Sequence, residues 1–468
     1  MFDYLAIDVG STYTKLRLID GATAVAAAEV PTDLEDVGRG IRRGLEALGA
    51  QAGAAPEAAQ TLASSSAAGG LRMVAMGYMA RVTAKAAMEV AMNSGAKILE
   101  VISSEDPLDF RVQILKEIRP DVVLLAGGTD FGDEDSLLEN AQAIVQSGAG
   151  AMVVLAGNEA AQPRAADILR QGGVRFVRTQ NILPTIHDLC VDKARALIHR
   201  EFIRQIVKAK GLQTLTDMLT DDRVVPTPGA VLLGAELLAK GDGLREGLGP
   251  LLVVDLGGAT TDVHSVVPAY EGLPKEEVGL IVASARQVSY RTVEGNLGMR
   301  VSAGGILMAA GARQLLRRAG PGDAAMEERL HAYCARVEAE TASLPENEEE
   351  RLFDRLLAQA AVEIALKRHA GHFTDRADPV MGTIPGTPTG RDLRGIGTVV
   401  LVGGFFAHSG PAEGGHIIES AFSRRGISLL PERAGRILVD RGYVLYAAGL
   451  LAQKAPEYAF SLLEKSLS

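Results

Sequence analysis

Apolar residues run along this chain in short bursts broken by glycine or charge, and the bursts fall into two textures. The first is a strand–turn–strand plan. Tyr4 to Asp20, YLAIDVGSTYTKLRLID, is an apolar run ending in aspartate, then a glycine-containing turn with hydroxyl residues, then a second run. Leu251 to Val267, LLVVDLGGATTDVHSVV, repeats the plan about half a chain later, with Asp255 in the place of Asp8 and Gly257 in the place of Gly10. Apolar runs of this length, bounded by turn residues, predict buried strands. A weaker echo links VVLLAGG (Val122 to Gly128) with VVLVGG (Val399 to Gly404). One hairpin per half predicts a duplicated α/β domain with a cleft between the copies.

The second texture lies between the hairpins. AAGGLRMVAMGYMARVTAKAAMEVAMNSGAKILEVIS reads as a Gly-rich turn, an Ala-rich helix and a buried strand. Helical patterns at LDFRVQILKEIRP, SLLENAQAIVQSG and AADILRQGG then alternate with strand patterns at DVVLLAGGTD, AMVVLAGN and VRFVRT. That alternation predicts βαβ units in a parallel sheet. The expected divisions are residues 1–80 for the start of the first lobe and 81–185 for an inserted Rossmann-like α/β subdomain. Residues 186–245 form a helical connection completing the first lobe, and 246–468 a second lobe with a helical insertion. In the last, ENEEERLFDRLLAQAAVEIALKRHAGHF predicts a long helix. RGYVLYAAGLLAQKA predicts a late helix with small residues on one face, suited to close packing on a sheet.

Composition narrows the partners. Of 468 residues, 58 are acidic and 48 basic, a formal charge of −10, so a broad basic field for nucleic acid or an acidic membrane is not expected. A bound phosphate must then be held by local backbone geometry or a metal. Cys190 and Cys334 are the only cysteines and lie far apart, against a disulfide framework or a cysteine zinc site. The opening MFDYLAIDVGST enters a strand pattern without a signal-peptide layout, and the apolar runs are too short to span a bilayer. The expected compartment is the cytoplasm.

The hairpins suit phosphate chemistry. Turn glycines let backbone N–H groups approach an anion, hydroxyls add donors, and an aspartate ending a strand holds Mg²⁺ through water. No Gly-Lys dipeptide occurs, so there is no P-loop of the GxxxxGK[ST] form. One such turn is equally an acidic β-turn; two copies and a downstream strand–Gly–Gly favour phosphate. The trio DVGSTYTK (Asp8 to Lys15), DLGGATTD (Asp255 to Asp262) and TVVLVGGF (Thr398 to Phe405) resembles the actin/Hsp70/sugar-kinase ATPase superfamily. With LASSSAAGGLRMVAMG, VPTPGAVLLGAELLA, RTVEGNLGMRVSAGG and ILVDRGYVLYAAGLL, the chain looks like the accessory or reactivating ATPases of glutamate mutase, the MutL or GlmL type.

That resemblance implies duplicated ribonuclease H-like (actin-like ATPase) domains, ATP and Mg²⁺ as ligands, and an adenosylcobalamin-dependent mutase as partner. It assigns Asp8 to water-mediated Mg²⁺ binding and Asp255 to the metal or the attacking water. Gly10, Ser11 and Thr12 are assigned to the terminal phosphates, Gly257, Gly258, Thr260 and Thr261 to the β- and γ-phosphates, and Gly403 and Gly404 to adenosine. Lys15 is assigned to phosphate charge or stands as a solvated strand lysine. Asp262 supports the acid or caps the hairpin, and Phe405 lies near adenosine or in the core. No base for deprotonating a sugar hydroxyl stands out, so water is the expected acceptor, with a small-molecule kinase or a nucleotide-dependent scaffold as the rival activities. DVHSVV mimics the start of a cobalamin lower-ligand motif, but Val267 replaces its glycine and His264 reads as a strand residue. GGTDFGDEDS is an acidic loop at a strand end, read first as a solvated helix entry and second as a metal or partner site. The eight histidines show no metal-ligand spacing.

Overall fold

The computed structural model describes residues 1–33, 36–66, 71–79, 83, 86–87, 90, 96–185, 188–208, 215, 217–220, 224–270, 288–320, 325–377 and 384–467. They form two compact units, Met1–Ala67 with Lys210–Ser468, and Ala68–Ala209. The first opens with β1 (Phe2–Val9), β2 (Tyr13–Asp20), β3 (Thr23–Pro31) and β4 (Ala58–Ser65). β1 and β2 pair antiparallel with Asp8 opposite Lys15, β3 extends the meander, and β4 joins β1 in parallel with Ser64 opposite Asp8.

The second unit holds β5 (Leu71–Gly77), β6 (Ala96–Ser103), β7 (Val122–Leu125), β8 (Met152–Leu155) and β9 (Phe176–Arg178). Its sheet is wholly parallel in the order β6-β5-β7-β8-β9, a doubly wound arrangement with its switch point between β5 and β7. β5 is a strand where the sequence pattern suggests only a Gly-rich turn. Met73, Val74, Ala75 and Met76 are all buried, so this run lacks the alternation that marks a strand in sequence. The Ala-rich helix expected after it falls mostly outside the described residues.

The first unit resumes with β10 (Val224–Pro226), which pairs in parallel with β4. A second sheet is built from β11 (Leu251–Leu256), β12 (Thr261–Val266) and β13 (Ser289–Glu294). After a two-stranded ribbon of β14 (His372–Phe373) and β15 (Pro388–Thr389), β16 (Thr398–Val402) and β17 (Arg436–Val439) complete that sheet. The two five-stranded sheets of this unit share one plan: a three-strand antiparallel meander whose first strand is joined in parallel by a fourth strand, and that in turn by a fifth. The fold is therefore the duplicated ribonuclease H-like, actin-like architecture expected from the sequence. The strand order corrects one detail. The counterpart of β16 is β4, ending in Ser64 and Ser65, whereas VVLLAGG is β7 of the other unit. Its likeness to VVLVGG reflects only that both are short buried parallel strands ending in glycine.

One apolar cluster makes the two sheets continuous. It runs from Ala6, Ile19 and Leu62 through the helices Thr227–Lys240 and Leu445–Leu451 to Val253 and Val400. Those helices follow β10 and β17, equivalent strands of the two sheets. The late helix packs on β1 and β4, as expected, and its glycine also meets this other helix. A Cβ on Gly449 would stand 1.8 Å from the Ala230 carbonyl oxygen, and one on Gly234 would stand 2.4 Å from that of Leu445. Small-residue spacing marks a close-packing face without naming every element that covers it. Gly449→Ala should therefore cost about 1–3 kcal/mol by overpacking, read as a lower urea midpoint; an unchanged midpoint would contradict this contact.

Candidate functional site

The two hairpin turns meet. A Cβ on Gly258 would lie 3.1 Å from Cγ2 and 3.2 Å from Oγ1 of Thr12, so the turn after β11 abuts the turn after β1. The sequence explains why each turn can approach. Gly10 donates its N–H to the Tyr13 carbonyl at 3.0 Å, and a Cβ there would strike that oxygen at 2.5 Å. Thr32 braces the same turn, donating its hydroxyl to the Gly10 carbonyl and its N–H to that of Thr12. Gly257 likewise donates to the Thr260 carbonyl at 2.9 Å. Ser11, Thr12, Gly257, Gly258 and Thr260 stay partly exposed, while most of the strands leading to them are buried.

Asp8 is buried at the end of β1. Its Oδ1 accepts from the hydroxyls of Ser64 and Thr227, and its Oδ2 faces Lys15 Nζ at 3.8 Å. Asp255 ends β11 at the equivalent place. Burial, then the charges of Asp262, Asp8 and Asp440, push its carboxyl up to about 7 against the opposing pull of Lys15. Carboxylates from both hairpins thus feel one another, and a cation between them would relieve that repulsion. Among the described residues no three acidic, imidazole or thiol groups are close enough to chelate an ion directly. Mg²⁺ fits such a site with water and phosphate oxygens completing its shell, since it sheds water reluctantly.

Other predicted residues are placed as follows. Thr260 donates its hydroxyl to Asp262 at 2.9 Å, and Asp262 is held by both Nε and Nη2 of Arg291. Asp262 is thus committed to a buried ion pair that orients a turn threonine. Thr261 points to the opposite face: fully buried, it donates to the Leu297 carbonyl, so strand alternation carries its side chain away from Asp255. Gly403, at φ +111°, packs against the Leu256 carbonyl, where a Cβ would stand 2.1 Å away. This brings the third motif to the end of β11. Gly404 is exposed beside it, while Phe405 packs against the second lobe's core and meets Phe406 edge-on.

Residues without an assigned role in the sequence complete the site. Ser64 and Thr227 hold Asp8, and both lie within quoted motifs, LASSS and VPTPG. The segment 298–302 underlies the second turn: Met299 N–H donates to the Gly257 carbonyl, Arg300 and Val301 N–H to that of Gly258, and the Ser302 hydroxyl to that of Ala259. Asp440, buried after β17, caps the late helix through the N–H groups of Val444 and Leu445. In the second unit the acidic loop is occupied structurally. Asp133 accepts from Ser136 N–H, and Asp130 Oδ1 accepts from Asn181 Nδ2 and Glu159 N–H. His264 is fully buried and held neutral by burial and by Arg291, as a core strand residue.

Comparison with known proteins agrees with the sequence. A profile of the MutL protein family matches residues 4–467. The chain is 35% identical over 470 residues to Protein MutL of Clostridium tetanomorphum, covering 99% of each. Among solved structures, a nucleotide-free acetone carboxylase aligns with TM-score 0.40 and 14% identity over 96% of this chain and 70% of that one. A nucleotide-free diol dehydratase-reactivating factor aligns with TM-score 0.35 and 12% identity over 97% and 99%. Those overlays are loose, and the fold rests on strand order instead.

The raised Asp255 carboxyl has a consequence for stability. Between its ordinary value near 4 and its folded value of about 7, the folded chain keeps a proton that the unfolded chain has lost. Stability in ligand-free buffer therefore falls as pH rises through that window. Asp255→Asn removes the penalty. Its melting temperature should exceed wild type at pH 8, by the equivalent of about 1–2 kcal/mol after allowance for the open side of the site, and match it near pH 4. A constant difference between the two pH values would contradict the assignment.

Proposed function

The chain belongs to the MutL protein family, and on that premise we propose that it binds and hydrolyses ATP as an accessory protein of an adenosylcobalamin-dependent mutase. The observation that carries this is the contact of Thr12 with Gly258, which sets two glycine turns from separate sheets against each other. Gly10 and Gly257, whose own N–H groups close their turns on Tyr13 and Thr260, let the backbone come close, and Ser11, Thr12, Gly258 and the backbone of Thr260 meet the phosphates. Lys15 offsets their charge. Gly403 and Gly404 accept the adenosine side, because their turn reaches the end of β11. Thr261 contributes through its backbone alone.

Asp8 and Asp255 would hold Mg²⁺ through water, and a bound ion would supply positive charge against that of the phosphates. Asp255 also accepts the proton of, or orients, the water that attacks the terminal phosphate. Catalysis of this type is positioning and electrostatics. The terminal phosphate touches both turns, so its loss removes contacts that favour the closed arrangement and shifts the lobe equilibrium. Work on a partner follows from that shift. The mutase as partner rests on the resemblance of the motifs, and the work is release of damaged cofactor or reactivation.

Phosphate release from ATP, measured with and without an adenosylcobalamin-dependent mutase, tests the proposal. Steady release without added metabolite, rising with the mutase, is expected; ADP formed only with a sugar or acid acceptor, with the phosphoryl group on that acceptor and no free phosphate, would replace the proposal with a kinase. Asp255→Ala should bind ATP yet lose about a hundredfold or more in turnover, and unchanged turnover would remove Asp255 from its role.

A further inference from the structure

The loop between β17 and the late helix carries a residue in an unusual state. Tyr443 has φ +49°, in the left-handed region that a bulky side chain rarely adopts, and yet is buried at 5% exposure. A large residue in such a backbone needs surroundings that over-determine it. Four contacts do so. Arg17 Nε, from β2 of the first sheet, donates to the Gly442 carbonyl, while its remaining donors reach the carbonyls of Leu16 and Ala28 and the carboxylate of Glu29. Asp440 fixes the far side of the loop through Val444 and Leu445. Tyr446 then donates its hydroxyl to the Ala6 carbonyl on β1 at 3.1 Å. The loop therefore belongs to the second sheet by sequence and is clamped to the first by hydrogen bonds.

What the clamp presents is the tyrosine ring. Lys15 Nζ lies 4.4 Å from its centroid and the Arg17 guanidinium 5.5 Å. Lys15 and Arg17 are two apart on β2 and so share a face. At the hydroxyl end of the ring, a Cβ on Gly404 would stand 3.1 Å from the Tyr443 oxygen. One side chain thus lies between the lysine of the first phosphate turn and the glycine of the third motif. Lys15 also lies 3.8 Å from Asp8, longer than a charge-assisted hydrogen bond of about 2.8 Å. The ring and the carboxylate share the ammonium between them, and neither captures it.

We propose that Tyr443 is a positioning residue whose ring holds Lys15 by a cation–π contact, keeping it off Asp8 and aimed at the phosphates. This rests on the nucleotide reading of the cleft and extends it. Without the ring, the ammonium closes on Asp8. It then neutralises the carboxylate that Mg²⁺ needs and must be pulled away before phosphate binds. The left-handed backbone is the means of delivery: it turns the side chain back across the loop toward β2.

Calorimetric titration with Mg·ATP and with adenosine tests this on wild type, Tyr443→Phe, Tyr443→Gly, Lys15→Met and the Tyr443→Gly/Lys15→Met double variant. Glycine removes the ring and accepts φ +49° without strain; phenylalanine keeps the ring. Tyr443→Gly should weaken Mg·ATP binding about tenfold and adenosine binding by about twofold or less. Tyr443→Phe should restore Mg·ATP affinity to within about twofold of wild type. In the Lys15→Met background Tyr443→Gly should add no further loss, since its effect passes through the lysine. Equal weakening of adenosine, full additivity in the double variant, or unchanged or tighter Mg·ATP binding in Tyr443→Gly would overturn the proposal. Should the glycine variant unfold, Tyr443→Leu fills the space without a π face and must show the same pattern. If wild type binds neither ligand, the nucleotide reading itself fails. If wild type binds both and only the Tyr443 comparisons disagree, that reading stands and the positioning role falls.

Discussion

Two aspartates, each ending the first strand of its sheet, are brought to one place by glycine turns that meet edge to edge. Every other feature of the cleft serves or offsets that approach. Burial first, and then repulsion from Asp262, Asp8 and Asp440, raises the carboxyl of Asp255. The chain answers with Lys15 facing Asp8, with hydroxyls from Ser64 and Thr227 on Asp8, and with Arg291 against Asp262. The residual excess of negative charge is what a magnesium-bound polyphosphate would satisfy, because the metal supplies the missing cation and the backbone donors of the turns hold the anion.

The duplication makes this arrangement economical. Equivalent strands deliver equivalent groups: β4 places Ser64 beside Asp8, and β16 leads to the glycines beside Asp255. The helices after β10 and β17 pack so closely that glycines are required at their crossing, joining the two sheets through one apolar cluster. The symmetry is broken where the chemistry differs. The first copy carries Lys15 and Arg17 within its second hairpin strand, and the second copy answers with the left-handed Tyr443.

Much of this was legible in the sequence because it is local. A strand ending in aspartate and a turn of glycine and threonine are written in eight consecutive residues, and their repetition marked the duplication. The contacts that complete the site were not legible, because they join distant parts of the chain. Nothing near Asp8 announces Thr227, and nothing near Lys15 announces Tyr443. Thr261 was assigned to the phosphates with its neighbours, but strand alternation turns it into the core. Strand β5 escaped because its residues are buried without alternation, and the small face of the late helix could not say that a second helix would meet it beside the sheet.

The claim that the two turns grip one ligand is most directly tested at their point of contact. Gly258 has no positive φ to protect, so a side chain there changes the gap to Thr12 and not the backbone preference. Titration of Mg·ATP into Gly258→Val, beside wild type and with denaturation midpoints as a control on folding, isolates that gap. The account predicts a folded variant whose affinity falls about tenfold or more; wild-type affinity would show that the nucleotide does not sit between the turns.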